Sequence, residues 1–189
     1  MNFENDIENC LKVLKAGGII LYPTDTIWGL GCDATDKKAV AKIYALKKRA
    51  ENKSMILLLA NKEEIKNYCK TPSETIQNLL QKKENSLTIV YPNAQNIAEN
   101  LISEDGTVAV RIVNDAFCEA LINAFGKPIV STSANIAGEP SPTSYTSVND
   151  KIKIGADYIV QHRRNNNDCK KPSRILFWKS DEEILVIRE

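Results

Sequence analysis

The chain has 189 residues, 43% hydrophobic and 26% charged, with a net charge of +1, so it can build a core of its own and is not a disordered polyelectrolyte. No apolar run approaches the ~18 residues of a membrane helix, and the acidic start Met1-Asn2-Phe3-Glu4-Asn5-Asp6 is not a secretory leader. Cysteines at 10, 32, 69, 118 and 169 form neither a disulfide framework nor a metal knuckle, and the single histidine, His162, rules out a His-rich metal site; reduced thiols in a cytoplasmic protein are the simplest expectation.

Residues 5–16 read as a helix, with Ile7, Cys10, Leu11, Val13 and Leu14 as its apolar stripe, Asn5 or Asp6 as its cap and Gly17-Gly18 as its end. Ile19 to Tyr22 is a short buried strand stopped by Pro23. Asp36 caps a second helix with Ala39, Val40, Ile43 and Leu46 on one face, and Met55 to Leu59 is a central strand. Helices are expected over 62–68 and 73–82, and strands over 87–91 and 107–112. Asn114 caps a helix that Gly126 closes. Residues 128–131 are a strand, 132–150 mostly a long loop, and 158–161, 175–178 and 184–188 closing strands. Strands alternate with helices early and follow one another late, which suggests one α/β domain over 1–189 with a mixed parallel and antiparallel sheet.

Charge is unevenly spread. Residues 36–53 hold seven Lys/Arg against Asp36 and Glu51, residues 161–174 hold five against Asp168, and the rest of the chain carries −8. An anionic ligand would require such a concentration, although two solvated faces give the same numbers.

Neither GxxxxGK[ST] nor GxGxxG after a strand occurs, and Gly29-Leu30-Gly31 is too short to count. Four polar segments stand at strand ends instead. Tyr22 to Gly31 places Thr24, Asp25, Thr26 and Trp28 past a buried strand, as a small polar ligand or a well-capped turn would. Lys47-Lys48-Arg49 and Lys53 put four cations in seven residues, more than the offset of a helix dipole needs and suited to phosphate. In Thr107 to Ile112 the alternation places Thr107, Ala109 and Arg111 on one face, which implies a paired guanidinium or a carboxylate ligand. Ile129 to Ser141 opens a strand into Ser131, Ser133 and Asn135, which share a face if the strand continues: a phosphate cradle or a Ser-rich turn.

In this order and spacing, Pro23-Thr24-Asp25-Thr26, Trp28-Gly29-Leu30-Gly31, Lys47-Lys48-Arg49, Ala109-Val110-Arg111 and Ser131-Thr132-Ser133-Ala134-Asn135 resemble the YrdC-type threonylcarbamoyl-AMP synthase family over about residues 5–189. The resemblance implies a twisted, open, mixed α/β sheet flanked by helices, with a concave basic face. It implies an enzyme, a nucleotidyltransferase, that joins L-threonine, bicarbonate or CO2, and ATP with Mg2+ into threonylcarbamoyl-AMP and pyrophosphate, with no protein-held metal. The product serves threonylcarbamoyl modification of adenosine 37 in tRNAs that read ANN codons, through a downstream transferase complex, with tRNA as a further partner and no membrane.

Matched residue by residue, Lys47 and Arg49 would neutralise phosphate and carbamate charge as the catalytic pair. Thr26, Arg111, Ser131 and Ser173 would hold threonine, with Arg111 on its carboxylate. Arg49, Lys53, Thr107, Ser133, Asn135, Ser141 and Arg188 would contact ATP. No nucleophilic side chain is needed, and His162 reads as a surface residue rather than a general base. The chain departs from the family pattern at Ala50, Lys53-Ser54, Glu84-Asn85-Ser86, Asn114-Asp115-Ala116, Ser173-Arg174 and Leu58, where some relatives have a threonine-binding His. Two other readings stay open: a non-catalytic RNA-binding module, and a paralogue acting on another acyl or carbamoyl substrate.

Overall fold

A computed structural model describes residues 3–50, 54–81, 86–166 and 171–189. Among these residues five α-helices, α1 (Glu4–Lys15), α2 (Lys37–Lys47), α3 (Glu74–Gln81), α4 (Ala116–Phe125) and α5 (Asp150–Gly155), accompany nine strands. These are β1 (Ile20–Tyr22), β2 (Gly29–Gly31), β3 (Ile56–Leu59), β4 (Leu87–Tyr91), β5 (Val108–Ile112), β6 (Ile129–Ser133), β7 (Tyr158–Ile159), β8 (Arg174–Trp178) and β9 (Ile184–Arg188). They form one open sheet in the order β7-β1-β2-β6-β3-β5-β4-β8-β9. Pairs β1/β7, β3/β5 and β4/β8 are parallel, and the rest are antiparallel.

Strand alternation sorts the core onto two faces. Leu21, Leu57, Leu59, Val110 and Val130 join Val40, Ile43 and Tyr44 of α2 in one cluster. Ile20, Tyr22, Leu58 and Ile129 point the other way and pack with Cys10 and Leu14 of α1 and with Phe117 and Leu121 of α4. Cross-strand partners share a face, and one such row runs Leu58, Arg111, Thr88, Ile175, Arg188. It carries two arginines onto the α1/α4 side of the sheet, with two strands between them.

Several local expectations change. Asn5 and Asp6 do not cap α1: Phe3 is its N-cap, without a side-chain bond. Asp6 lies with Cys10 and Leu14 on the buried stripe and accepts from Tyr158 Oη at 2.6 Å, Gln161 N at 2.9 Å and His162 N at 2.8 Å. It clamps the helix to the chain leaving β7. Asp115, not Asn114, caps α4, accepting from Cys118 N at 3.0 Å. The expected helix over 62–68 is a 3-10 turn, Lys62–Asn67. The expected loop of 132–150 is shortened by β6 running on to Ser133 and is followed by α5.

The Gly-Leu-Gly segment is a strand. A Cβ on Gly31 would lie 2.7 Å from Tyr22 Cε1 and 2.9 Å from Val130 O, so only glycine lets β2 pass between β1 and β6 here. Gly31→Ala is expected to destabilise the protein by about 1–3 kcal/mol through forced backbone displacement. Thermal unfolding checks this, and an unchanged midpoint would show that the strand has room.

Candidate functional site

A cavity of about 160 Å3 opens on the sheet face that carries Arg111 and Arg188, and its wall includes Thr26, Arg49, Ser131, Ser133, Ser141 and Ser173. Pro23 ends β1, and the loop to β2 folds on itself: Thr24 Oγ1 donates to Ile27 O at 2.8 Å and accepts from Thr26 N at 3.0 Å. This Thr-rich turn faces Arg111 on β5. The guanidinium is 3% exposed, donates from Nη1 to Thr26 Oγ1 at 2.8 Å and lies 3.3 Å through Nη2 from Asp25 Oδ1. Ser86 Oγ in turn donates to Asp25 Oδ2 at 2.6 Å. Arg111 Nε and Asp25 Oδ1 are buried without a hydrogen-bond partner. A monodentate buried ion pair with an idle N–H is poorly satisfied on its own. Of the two sequence alternatives for Arg111, the structure shows the paired guanidinium.

At the opposite wall α2 ends with Lys48 in the left-handed region at φ 49°. That turn aims Lys47 inward and Arg49 toward the cavity. Lys47 is 1% exposed. Its Nζ donates to Ser133 O, to Asn135 O at 2.6 Å and to Asn135 Oδ1 at 3.4 Å. Burial, with Arg49 nearby, brings its ammonium down to about 8. Asn135 also accepts from Ser133 Oγ and donates to Glu139 O at 2.6 Å. Lys47 and Asn135 are not among the residues that line the cavity, and their polar atoms bond to one another and to Ser133. Arg49 does line the cavity, and its Nη2 donates to Ser54 O at 2.8 Å.

The third wall comes from the strands at the sheet end. Ser173 Oγ shares a 2.7 Å hydrogen bond with Thr88 Oγ1. Arg188 clamps the same residue, donating to Ser173 O from Nε at 2.9 Å and from Nη2 at 2.7 Å. Burial and the neighbouring Arg111 lower the Arg188 guanidinium below its ordinary value, the mark of a shared positive field.

Thr107 is not on the cavity wall: it precedes β5 and donates from Oγ1 to Asp105 Oδ1 at 2.7 Å, closing a turn. Lys53 lies outside the described residues. His162 is half-buried between the Phe3 and Phe117 rings, at centroid distances of 5.3 and 5.7 Å, rather than on the surface. Positive charge at the cavity comes from Arg49, Arg111 and Arg188. Of the second basic segment, Arg163 pairs with Asp115 and Arg174 with Glu189, while Arg164 donates to the Val160 and Ile159 carbonyls. Sequence reasoning passed over Ser86 and Thr88. The alternation signal existed for Thr88, the cross-strand partner of Arg111, but nothing local marked Ser86.

No group of three or more His, Cys, Asp or Glu side chains that could hold a metal ion occurs among the described residues.

The family model Sua5/YciO/YrdC, described as "Telomere recombination", matches residues 12–189. A threonylcarbamoyl-AMP synthase of Pseudoalteromonas translucida (strain TAC 125) is 32% identical over 178 residues, 93% of this chain and 94% of that protein. The crystal structure of P. abyssi Sua5 complexed with L-threonine superposes with a TM-score of 0.86 at 26% identity, over 98% of this chain and 54% of that one. E. coli YciO, at 20% identity and a TM-score of 0.81 over 98% of this chain and 89% of that one, shares the fold. The chain spans about half the length of the Sua5 structure and nearly all of the curated synthase. With its ordered motifs gathered around one cavity and the family pattern running from residue 12 to 189, the chain belongs to the Sua5/YciO/YrdC family.

Proposed function

We propose that this protein is an L-threonylcarbamoyladenylate synthase, a nucleotidyltransferase whose residues 1–189 form one YrdC-like domain. The observation that carries the reading is Arg111, buried and incompletely paired, on the wall of a cavity lined by two further arginines and by hydroxyls. Such a wall suits a carboxylate and a polyphosphate together. The relatives named threonylcarbamoyl-AMP synthase and the Sua5 structure holding L-threonine support it.

In the proposed reaction the threonine nitrogen bonds to the carbon of CO2 or bicarbonate and loses a proton, and bicarbonate also sheds its hydroxyl as water. A carbamate oxygen then attacks the α-phosphorus of ATP, and the bond to the β-phosphate oxygen breaks, so that pyrophosphate leaves with the electron pair. No side chain is a covalent intermediate. Positioning and charge stabilisation carry the rate. Arg111 binds the carboxylate, with Ser131 and Ser173 close by, while Arg49, Ser133, Ser141 and Arg188 face the triphosphate. Lys47 and Asn135 hold Ser133 in place. Mg2+ enters with ATP as part of the substrate and offsets triphosphate charge. The product goes to a transferase acting on tRNA in the cytoplasm.

The test is pyrophosphate release from ATP by purified protein with bicarbonate and each of the twenty amino acids. L-threonine alone should support release, with the mass of threonylcarbamoyl-AMP in the quenched mixture; release with a different amino acid would favour a paralogous activity. Arg49→Ala should remove the activity while changing stability by about 1 kcal/mol or less, since a half-exposed side chain with a backbone acceptor contributes little. Retained turnover would sink the electrostatic role of Arg49.

A further inference from the structure

The open sheet has two edges, and they are finished differently. β7 ends one of them with two residues, Tyr158 and Ile159, too short to template another strand. β9 ends the other with five, and its run Ile184-Leu185-Val186-Ile187 holds no charge, glycine or proline. A continuous apolar run is the composition of a strand buried on both faces, yet Leu185, Val186 and Ile187 are 45%, 50% and 59% exposed. Both faces are involved: Ile184 and Val186 lie opposite Trp178 and Leu176 of the core cluster, whereas Leu185 lies opposite the partly exposed Phe177. The hydrogen-bond phase of this edge follows from the hairpin. Lys179 N donates to Glu183 O at 3.2 Å, so 179/183 and then 177/185 are the bonded pairs of β8 and β9, while 178/184 and 176/186 are the non-bonded ones. The N–H and C=O groups of Ile184 and Val186 therefore point away from β8, outward from the sheet edge. Among the described residues no strand pairs with that side.

We propose that β9 is the docking edge for a second copy of this chain, which adds its own β9 antiparallel across a two-fold axis through Leu185. Two-fold symmetry leaves three registers in which the outward groups of Ile184 and Val186 meet their counterparts. An axis through Ile184 sets Val186 opposite the partner's Glu182 and Leu185 opposite the partner's Glu183, apolar against acidic. An axis through Val186 sets Ile184 opposite the partner's Arg188 and Glu183 opposite the partner's Glu189, the second pair being like charges. The axis through Leu185 is the complementary one: Ile184 meets the partner's Val186, Leu185 meets the partner's Leu185, and Arg188 meets the partner's Glu182. By symmetry the pairing of Ile184 with the partner's Val186 occurs twice, so about four backbone hydrogen bonds close the edge. The register shift near the end of β9 keeps the ladder short. Its area therefore falls at the low end of specific interfaces, and concentration controls the dimer.

The experiment is sedimentation velocity of the full chain from about 5 to 500 µM, the range in which a small interface assembles. The wild type should move from one chain toward two. Val186→Lys puts a charge at a half-exposed position of the edge and should weaken the association about tenfold or more. A wild type that stays a single chain throughout overturns the inference, and so does a dimer that Val186→Lys leaves as tight as before. Cross-linking reads the register. The described cysteines are buried, and Cys169→Ser is added to each protein. Leu185→Cys should then oxidise to a covalent dimer, because a non-bonded pair brings its Cα atoms to about 4.5 Å, within disulfide reach. Ile187→Cys should not, although Ile187 is the more exposed of the two, because it stands opposite the partner's Glu183. Random collision would cross-link Ile187→Cys at least as readily, and equal yields, or a dimer from Ile187→Cys alone, would overturn the register. Should Val186→Lys fail to fold, the comparison of Leu185→Cys with Ile187→Cys still decides.

Discussion

Arg111→Met is expected to destabilise the protein by about 3–5 kcal/mol, because it strands a buried carboxylate. Asp25 is 6% exposed through its side chain, and Arg111 is the cation the structure pairs with it. After the substitution Asp25 keeps the Ser86 hydroxyl at 2.6 Å and no counter-charge. Thr26 loses its Nη1 donor as well. Adding Asp25→Asn should return at least half of the lost stability, since the charge that made the single variant costly is gone. It should return none of the L-threonine binding, because the donor for the carboxylate is still absent. Urea titrations of the four proteins of the cycle, with threonine calorimetry on each, make the measurement. A double variant no more stable than Arg111→Met would mean that the Asp25 carboxylate finds water. Arg111→Lys is the milder companion: one ammonium cannot serve Thr26, Asp25 and a ligand at once, so the threonine KM should rise with little change in fold.

How much of this was legible beforehand depends on the distance over which each signal acts. The helix stripes and central strands were readable because burial alternates along a few residues, as Val40 and Ile43 against Leu57 and Leu59 demonstrate. β2 was not, because three residues, two of them glycine, have no apolar period; its glycines answer to Tyr22 and Val130 across the sheet. Asp6 looked like a cap because its partners, Tyr158, Gln161 and His162, lie more than a hundred residues away. The same limit separates the site residues. Arg49, Arg111 and Arg188 line the cavity. Lys47, Asn135 and Thr107 belong to the same motifs, yet their polar atoms are taken up by neighbouring carbonyls and carboxylates. A motif names residues that must be present together; it does not tell which of them touch the ligand and which hold the others.

Lys47 is where that distinction has its largest measurable consequence. Lys47→Met keeps most of the volume and removes the ammonium. Ser133 O keeps the Asn135 amide at 2.9 Å and Asn135 Oδ1 keeps the Ser133 hydroxyl, so it is Asn135 O that loses its donor. A buried acceptor so orphaned costs about 1–3 kcal/mol. The variant should therefore lose both activity and roughly 1–3 kcal/mol of stability, unlike Arg49→Ala, which should lose activity alone. An expectation of an intact fold holds for Arg49 and not for Lys47. The pH dependence separates the two contributions further. With the ammonium brought down to about 8 in the folded protein and at about 10.4 in the unfolded chain, the unfolded state holds the extra proton between these values. The Lys47 contribution to stability then rises with pH across that window. Over the same window the β6 loop loses its charged donor, so pyrophosphate release should fall above about pH 8 while the stability gap between wild type and Lys47→Met widens. Activity and melting temperature followed in parallel from about pH 7 to 10 test this. Activity that holds to pH 10 would free the Ser133 scaffold from any need for a charged lysine, and a gap that narrows as activity falls would make the alkaline loss ordinary unfolding.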